Sequence, residues 1–96
     1  VRQRCAAYPT KPFQVFTPHS DIMGMAIIGH RLYMSSFTGL HPTAKSQAGE
    51  VLSMPLSGGK VTPVLTGFVG PTVGLGAHGN TLYVGELTGQ VFSVQP

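Results

Sequence analysis

"GMAIIGHRLYM" at Gly24–Met34 and "GLGAHGNTLYV" at Gly74–Val84 are one segment written twice, at a constant offset of 50 residues that aligns two glycines and a Leu-Tyr pair. The repetition extends outward on both sides. Upstream, "TPHSDIMG" at Thr17–Gly24 falls on "GFVGPTVG" at Gly67–Gly74, and "FQVFT" at Phe13–Thr17 falls on "PVLTG" at Pro63–Gly67. Downstream, "GEVLSMP" at Gly49–Pro55 falls on "GQVFSVQ" at Gly89–Gln95 at an offset of 40. The first unit therefore carries an insertion of about ten residues within Leu40–Ala48.

Each unit reads as a small antiparallel sheet. Ile22–Ile28 and Thr72–His78 are the first strands, apolar enough on both faces to be expected buried on both sides. Gly29-His30 and Gly79-Asn80 supply two-residue turns, after which Arg31–Ser35 and Thr81–Gly85 are the second strands. Third strands follow at Glu50–Met54 and Gln90–Val94. In the first of these, Val51 and Ser53 point to one face while Leu52 and Met54 point to the other. Gly58-Gly59 makes a further turn, and Lys60–Leu65 is a fourth strand whose Pro63 marks it as an edge.

Four short strands recurring every 40–50 residues define an all-β chain and predict blades of a β-propeller. Residues 1–12 are then an N-terminal extension. Residues 13–66 hold an outer strand (Phe13–Phe16) and one complete blade, and residues 67–96 hold three strands of the next. Two blades cannot close a ring of four to eight, so the rest of a longer chain or further copies of this one are the expected partners. A single small sandwich or barrel is the alternative architecture.

Composition agrees. The chain has 96 residues with 13 glycines, 8 prolines and 9% charged residues, which favours many short elements over long amphipathic helices. Arg2, Arg4, Lys11, Arg31, Lys45 and Lys60 are scattered, so the net charge of +3 does not make a nucleic-acid footprint. The longest nearly continuous apolar run, Ile22–Gly29, falls far short of the ~20 residues that span a bilayer. The first residues lack the apolar core of a secretory signal and the chain starts without Met, as expected of an excised domain, a processed product or part of a longer chain. Cys5 stands alone and forms no internal disulfide. It is a free thiol or pairs with another chain, and His19, His30, His41 and His78 are too isolated for a structural zinc site.

Candidate ligand-binding residues concentrate in the loops that lead into the first strands, because in a propeller these loops ring one mouth of the central channel. His19, Ser20 and Asp21 are the polar candidates there; turn residues satisfying local backbone groups are the plainer reading of Ser20 and Asp21. They do not form a catalytic triad, whose members converge from separate segments. The inserted loop adds His41 and Lys45, against the alternative of an ordinary solvated loop. Glu86 takes the place of Ser36 and reads as structural. His30 and His78 are expected to face water. Tyr33 and Tyr83 repeat and so read as packing, and Phe37, Phe68, Met23, Met25 and Met54 read as core.

On "TPHSDIMGMAI", "LYMSSF" and "VLTGFVGPTVGLGAHGNTLYVGELTGQVFSV", the chain resembles the C-terminal blades of the glucose/sorbosone dehydrogenase family. Pro18, His19, Ser20 and Gly24, the stretch Leu65–Phe68, and Thr88 with Gly89 stand at matching positions. The resemblance implies a six-bladed propeller, periplasmic or secreted, in which pyrroloquinoline quinone beside a calcium ion takes hydride from a sugar. It implies His19 and Ser20 as cofactor-facing residues, and Lys45 of the insertion is the expected substitute for the family's basic residues against the quinone. At Ser35–Gly39 and Gly70–Gly74, where the family places basic residues against the quinone, this chain has none. The family's catalytic histidine belongs to an earlier blade, so these residues alone are not expected to oxidise a sugar. A non-catalytic module binding a protein or glycan through its rim loops is the competing expectation.

Overall fold

The computed structural model describes residues 11–16, 20–40 and 48–96. Strands β1 (Ile22–Ile28), β2 (Arg31–Ser36), β3 (Glu50–Pro55) and β4 (Thr62–Leu65) form one antiparallel sheet in chain order. Strands β5 (Thr72–His78), β6 (Thr81–Glu86) and β7 (Val91–Val94) form a second. Among the described residues there is no helix, so the all-β reading holds. Strand bounds fall within two residues of those expected from the repeat.

Local chemistry explains the hairpins. Gly29 and Gly79 both adopt φ 61°, while His30 and Asn80 after them do not take positive φ, the pattern of a II′ turn that matches the twist of the flanking strands. Both sheets also slip register at the same place, between Ile22 and Gly24 in one and between Thr72 and Gly74 in the other. The repeat therefore preserves a bulge as well as a hydrophobic pattern.

The sheets stack with β5 against β1 and β2. Their shared core joins Tyr33 and Val51 of the first sheet to Leu82 and Val84 of the second, flanked by Ala26, Ile28, Leu65, Phe68, Leu75 and Val94. Close approach at the centre depends on Gly24, where a Cβ would stand 3.1 Å from the Leu75 nitrogen and 3.3 Å from the Val73 carbonyl oxygen. On the far face of the first sheet, Met34, Leu52 and Met54 make a second cluster, against which Phe16, Ile22, Leu32, Leu40 and Val61 pack. Val51 and Leu52 thus serve opposite faces, as their alternation requires.

Three expectations need correction. The first strands are not buried on both sides: Met23, Met25 and Ile27 are 52–64% exposed, and Gly74 and Gly76 face solvent. Only one face of each of these strands has a sheet laid on it within this chain, so Met23 and Met25 are not core. Tyr83 is exposed although its counterpart Tyr33 is buried, for the same reason. Phe13–Phe16 forms no strand, since no sheet edge lies beside it to supply ladder partners; Phe16 instead packs on the Met34 cluster.

Candidate functional site

The loops that lead into β1 and β5 are each held by the end of the following strand. In the first sheet the Ser36 hydroxyl donates to the Ser20 carbonyl at 2.5 Å, and the Phe37 amide donates to the Asp21 carbonyl at 2.9 Å. In the second, at the same offset of 50 residues, the Gly70 amide donates to Glu86 Oε2 at 2.8 Å and the Leu87 amide to the Pro71 carbonyl at 2.9 Å. The clasp is conserved but its polarity is reversed. A serine hydroxyl donates in one copy, and a carboxylate accepts in the other.

Glu86 is 5% exposed and its carboxylate is fully engaged. The Thr88 hydroxyl, the Gly70 amide and then the Val69 amide hold the carboxyl below its ordinary range, while burial pulls the other way. Its backbone closes the β6–β7 turn: the Glu86 amide donates to Gln90 at 2.8 Å and the Gly89 amide donates to the Glu86 carbonyl at 2.9 Å. Glu86 is a structural anchor, as its isolation in the sequence suggested.

A polar seam joins the two loops. Thr72 Oγ1 lies 2.7 Å from the Ser36 carbonyl and 3.0 Å from the Glu50 carbonyl, sharing one proton between strands of the other sheet. Ser35 Oγ donates to Val73 at 3.0 Å. The Gly49 amide, just past the inserted loop, donates to the Gly70 carbonyl at 3.0 Å. Gly49 has no room for a side chain, because a Cβ there would stand 2.7 Å from Thr72 Oγ1 and closer still to its backbone nitrogen.

Of the cofactor-facing candidates, His19 and Lys45 lie outside the described residues, as does His41. Ser20 is 1% exposed, with its hydroxyl donating to the Leu40 carbonyl at 3.2 Å, which ties the lead-in loop of β1 to the start of the insertion. Asp21 is exposed and adopts φ 48°, a left-handed conformation that aspartate tolerates better than most residues. His30 and His78 are exposed at the opposite, hairpin-turn end of the sheets, as expected.

The base of the insertion borders a groove of about 400 Å³ lined by Thr38, Leu40, Ala48, Glu50, Lys60 and Thr62, among others. The Leu40 amide donates to Glu50 Oε1 at 2.9 Å, so Glu50 pins one stem of the insertion while Gly49 pins the other. Among the described residues no buried side-chain nitrogen or oxygen lacks a partner, and no group of three or more His, Cys, Asp and Glu could hold a metal ion. The described part of this end is a hydrogen-bonded frame of strand ends and loop stems. It is not a set of converging acid, base and nucleophile.

Sequence reasoning missed Thr72, Gly49 and the pairing of Glu86 with Gly70. A signal for the pairing existed, because the offset of 50 places Gly70 opposite Ser20 and Glu86 opposite Ser36. No family model matches the chain, and comparison with curated proteins and with solved structures returns no significant match.

Proposed function

We propose that the two sheets are successive blades of a β-propeller and that the chain is a binding module, lending its strand-leading loops and its insertion to a ligand mouth. The observation that carries this reading is the clasp repeated at Ser20–Ser36 and Gly70–Glu86, joined through Thr72 and Gly49. It braces the loops of both units at one end of the stack. Loops mounted on a scaffold of strands are where binding groups are commonly placed.

The ligand class the reading favours is a sugar or glycan. His19 and Lys45 are the groups proposed to meet it, with Ser20 acting from beneath as the brace of its own loop. A second reading, a sector of a quinone-dependent sugar dehydrogenase, draws on the match at Pro18–Ser20 and at Leu65–Phe68. The described residues do not by themselves fit an anionic quinone beside calcium: no three of His, Cys, Asp and Glu among them come together to hold a metal ion, and both Glu86 oxygens are already engaged. No redox step follows from them.

The test is calorimetric titration of the chain with a panel of neutral mono- and oligosaccharides, and separately with pyrroloquinoline quinone plus calcium. Saturable sugar binding that His19→Ala weakens at least tenfold, with an unchanged denaturation midpoint, supports the module. Quinone uptake seen as a bound chromophore supports the dehydrogenase reading instead. Absence of saturable binding in both titrations overturns the proposal.

A further inference from the structure

Sheet stacking within this chain is heterologous: the β1–β4 sheet contributes the face bearing Tyr33 and Val51, and the β5–β7 sheet contributes the opposite face of the repeat, bearing Leu75, Leu82 and Val84. An interface of that kind does not use up the surfaces it is made from. Tyr83 and Val91, the repeats of Tyr33 and Val51, remain bare on the outer face of the second sheet. Tyr83 is 44% exposed against 7% for Tyr33, and Val91 is 74% exposed against 0% for Val51. Gly74, the repeat of Gly24, meets nothing within 4 Å of a would-be Cβ, whereas Gly24 meets the facing strand.

At the other end of the stack the complementary surface is open along β1, while Met34, Leu52 and Met54 farther out on the same face are buried in the cluster on which Phe16 packs. Met25, the repeat of Leu75, is 64% exposed on the front of the first sheet, and Ile27 beside it is 57% exposed. The chain thus repeats one half of the interface bare on the outer face of the second sheet, and the β1 strip of the other half bare on the front of the first.

We infer that a second copy of this chain docks the front of its β1–β4 sheet, at Met25, onto the outer face of the β5–β7 sheet, at Tyr83 and Val91, repeating head to tail the packing already present within one chain. The inference rests on the blade reading and extends it. Continuity of the stack argues for this occupant, since the surface to be covered is the repeat of one that is covered and the covering surface is the repeat of one that covers. The Phe13–Phe16 stretch fits the same arrangement. The repeat aligns it with Pro63–Thr66 at the end of β4, and Phe16 packs on the front of its own first sheet. Docking would carry it to the outer side of the partner's β7, where an apolar groove of about 510 Å³ runs between Leu65, Phe68, Phe92 and Val94. Rotation between blades closes such a series at four to eight blades, or about two to four copies.

The experiment is native mass spectrometry and light scattering on the 96-residue chain, with two variants. The intact chain is expected at about two to four multiples of its 10.1 kDa mass. Met25→Glu and Val91→Glu each remove one half of the interface and are expected to be monomeric with undiminished β-sheet circular dichroism. Mixed together, they retain one good half each and are expected to form a 1:1 dimer and nothing larger. Persistent self-association of either variant alone, or monomeric variants that fail to pair on mixing, overturns the head-to-tail interface. Should a variant not fold, the mass of the intact chain still decides. A monomer whose Gly49 amide is protected from hydrogen exchange overturns the assembly and spares the stacked sheets; a monomer with that amide unprotected overturns both.

Discussion

The Gly49 amide donates to the Gly70 carbonyl at 3.0 Å, so the residue that ends the inserted loop of the first unit is fastened to the loop that opens the second. The contact is made backbone to backbone, and Gly49 leaves no space beside Thr72 for anything larger. Gly49→Ala is therefore expected to destabilise the chain by about 1–3 kcal/mol through overpacking. Urea denaturation measures it, and a midpoint equal to that of the unmodified chain would count against the close approach.

Thr72 is fully buried and its hydroxyl lies between two carbonyls of the other sheet. Thr72→Val keeps the volume and removes the donor, with an expected loss of about 1–3 kcal/mol from the stranded acceptors. Thr72→Ser keeps the donor and should recover most of that loss. If serine and valine behave alike, packing rather than the hydrogen bond holds the seam.

Acid should weaken the second sheet first. The Glu86 carboxyl lies below its ordinary range when folded, so its contribution is fully present above the unfolded value and is lost as pH falls through the folded one. Glu86→Gln is expected to be less stable near neutrality and to show a flatter loss of stability below about pH 4.5. Denaturation midpoints between pH 3 and 7 on both proteins provide the comparison, and parallel curves would contradict it.

Leu52 is fully buried in the far-face cluster with Met34 and Met54. Leu52→Ala is expected to cost about 2–5 kcal/mol, a large share of the stability of a domain this size. Leu87→Ala, at an exposed turn position, should stay within about 0.5 kcal/mol.

What the sequence made legible was local. The Gly24–Met34 repeat gave both hairpins, because turn glycines and strand alternation act over a few residues, and Gly29 and Gly79 take the conformation their positions require. The exposure of Met25 and Tyr83 was misread for a non-local reason. A strand's pattern tells which residues share a face, and only the neighbouring sheet decides whether that face is covered. Phe13–Phe16 failed as a strand on the same ground, since a strand needs an edge to pair with. Glu86 reads as structural from its isolation, and the offset that sets it opposite Ser36 sets Gly70 opposite Ser20, a relation that marks a pair once Ser36 is seen to hold Ser20.

The central claim is that the two sheets lie face to face through β1 and β5. The most direct measurement is a nuclear Overhauser spectrum of the labelled chain, read between the α-protons of Gly24 and the amide of Leu75. A cross-peak between them, together with the ladder contacts inside each sheet, is the predicted result. Intact ladder contacts without that cross-peak would show two sheets that do not meet, contradicting the account.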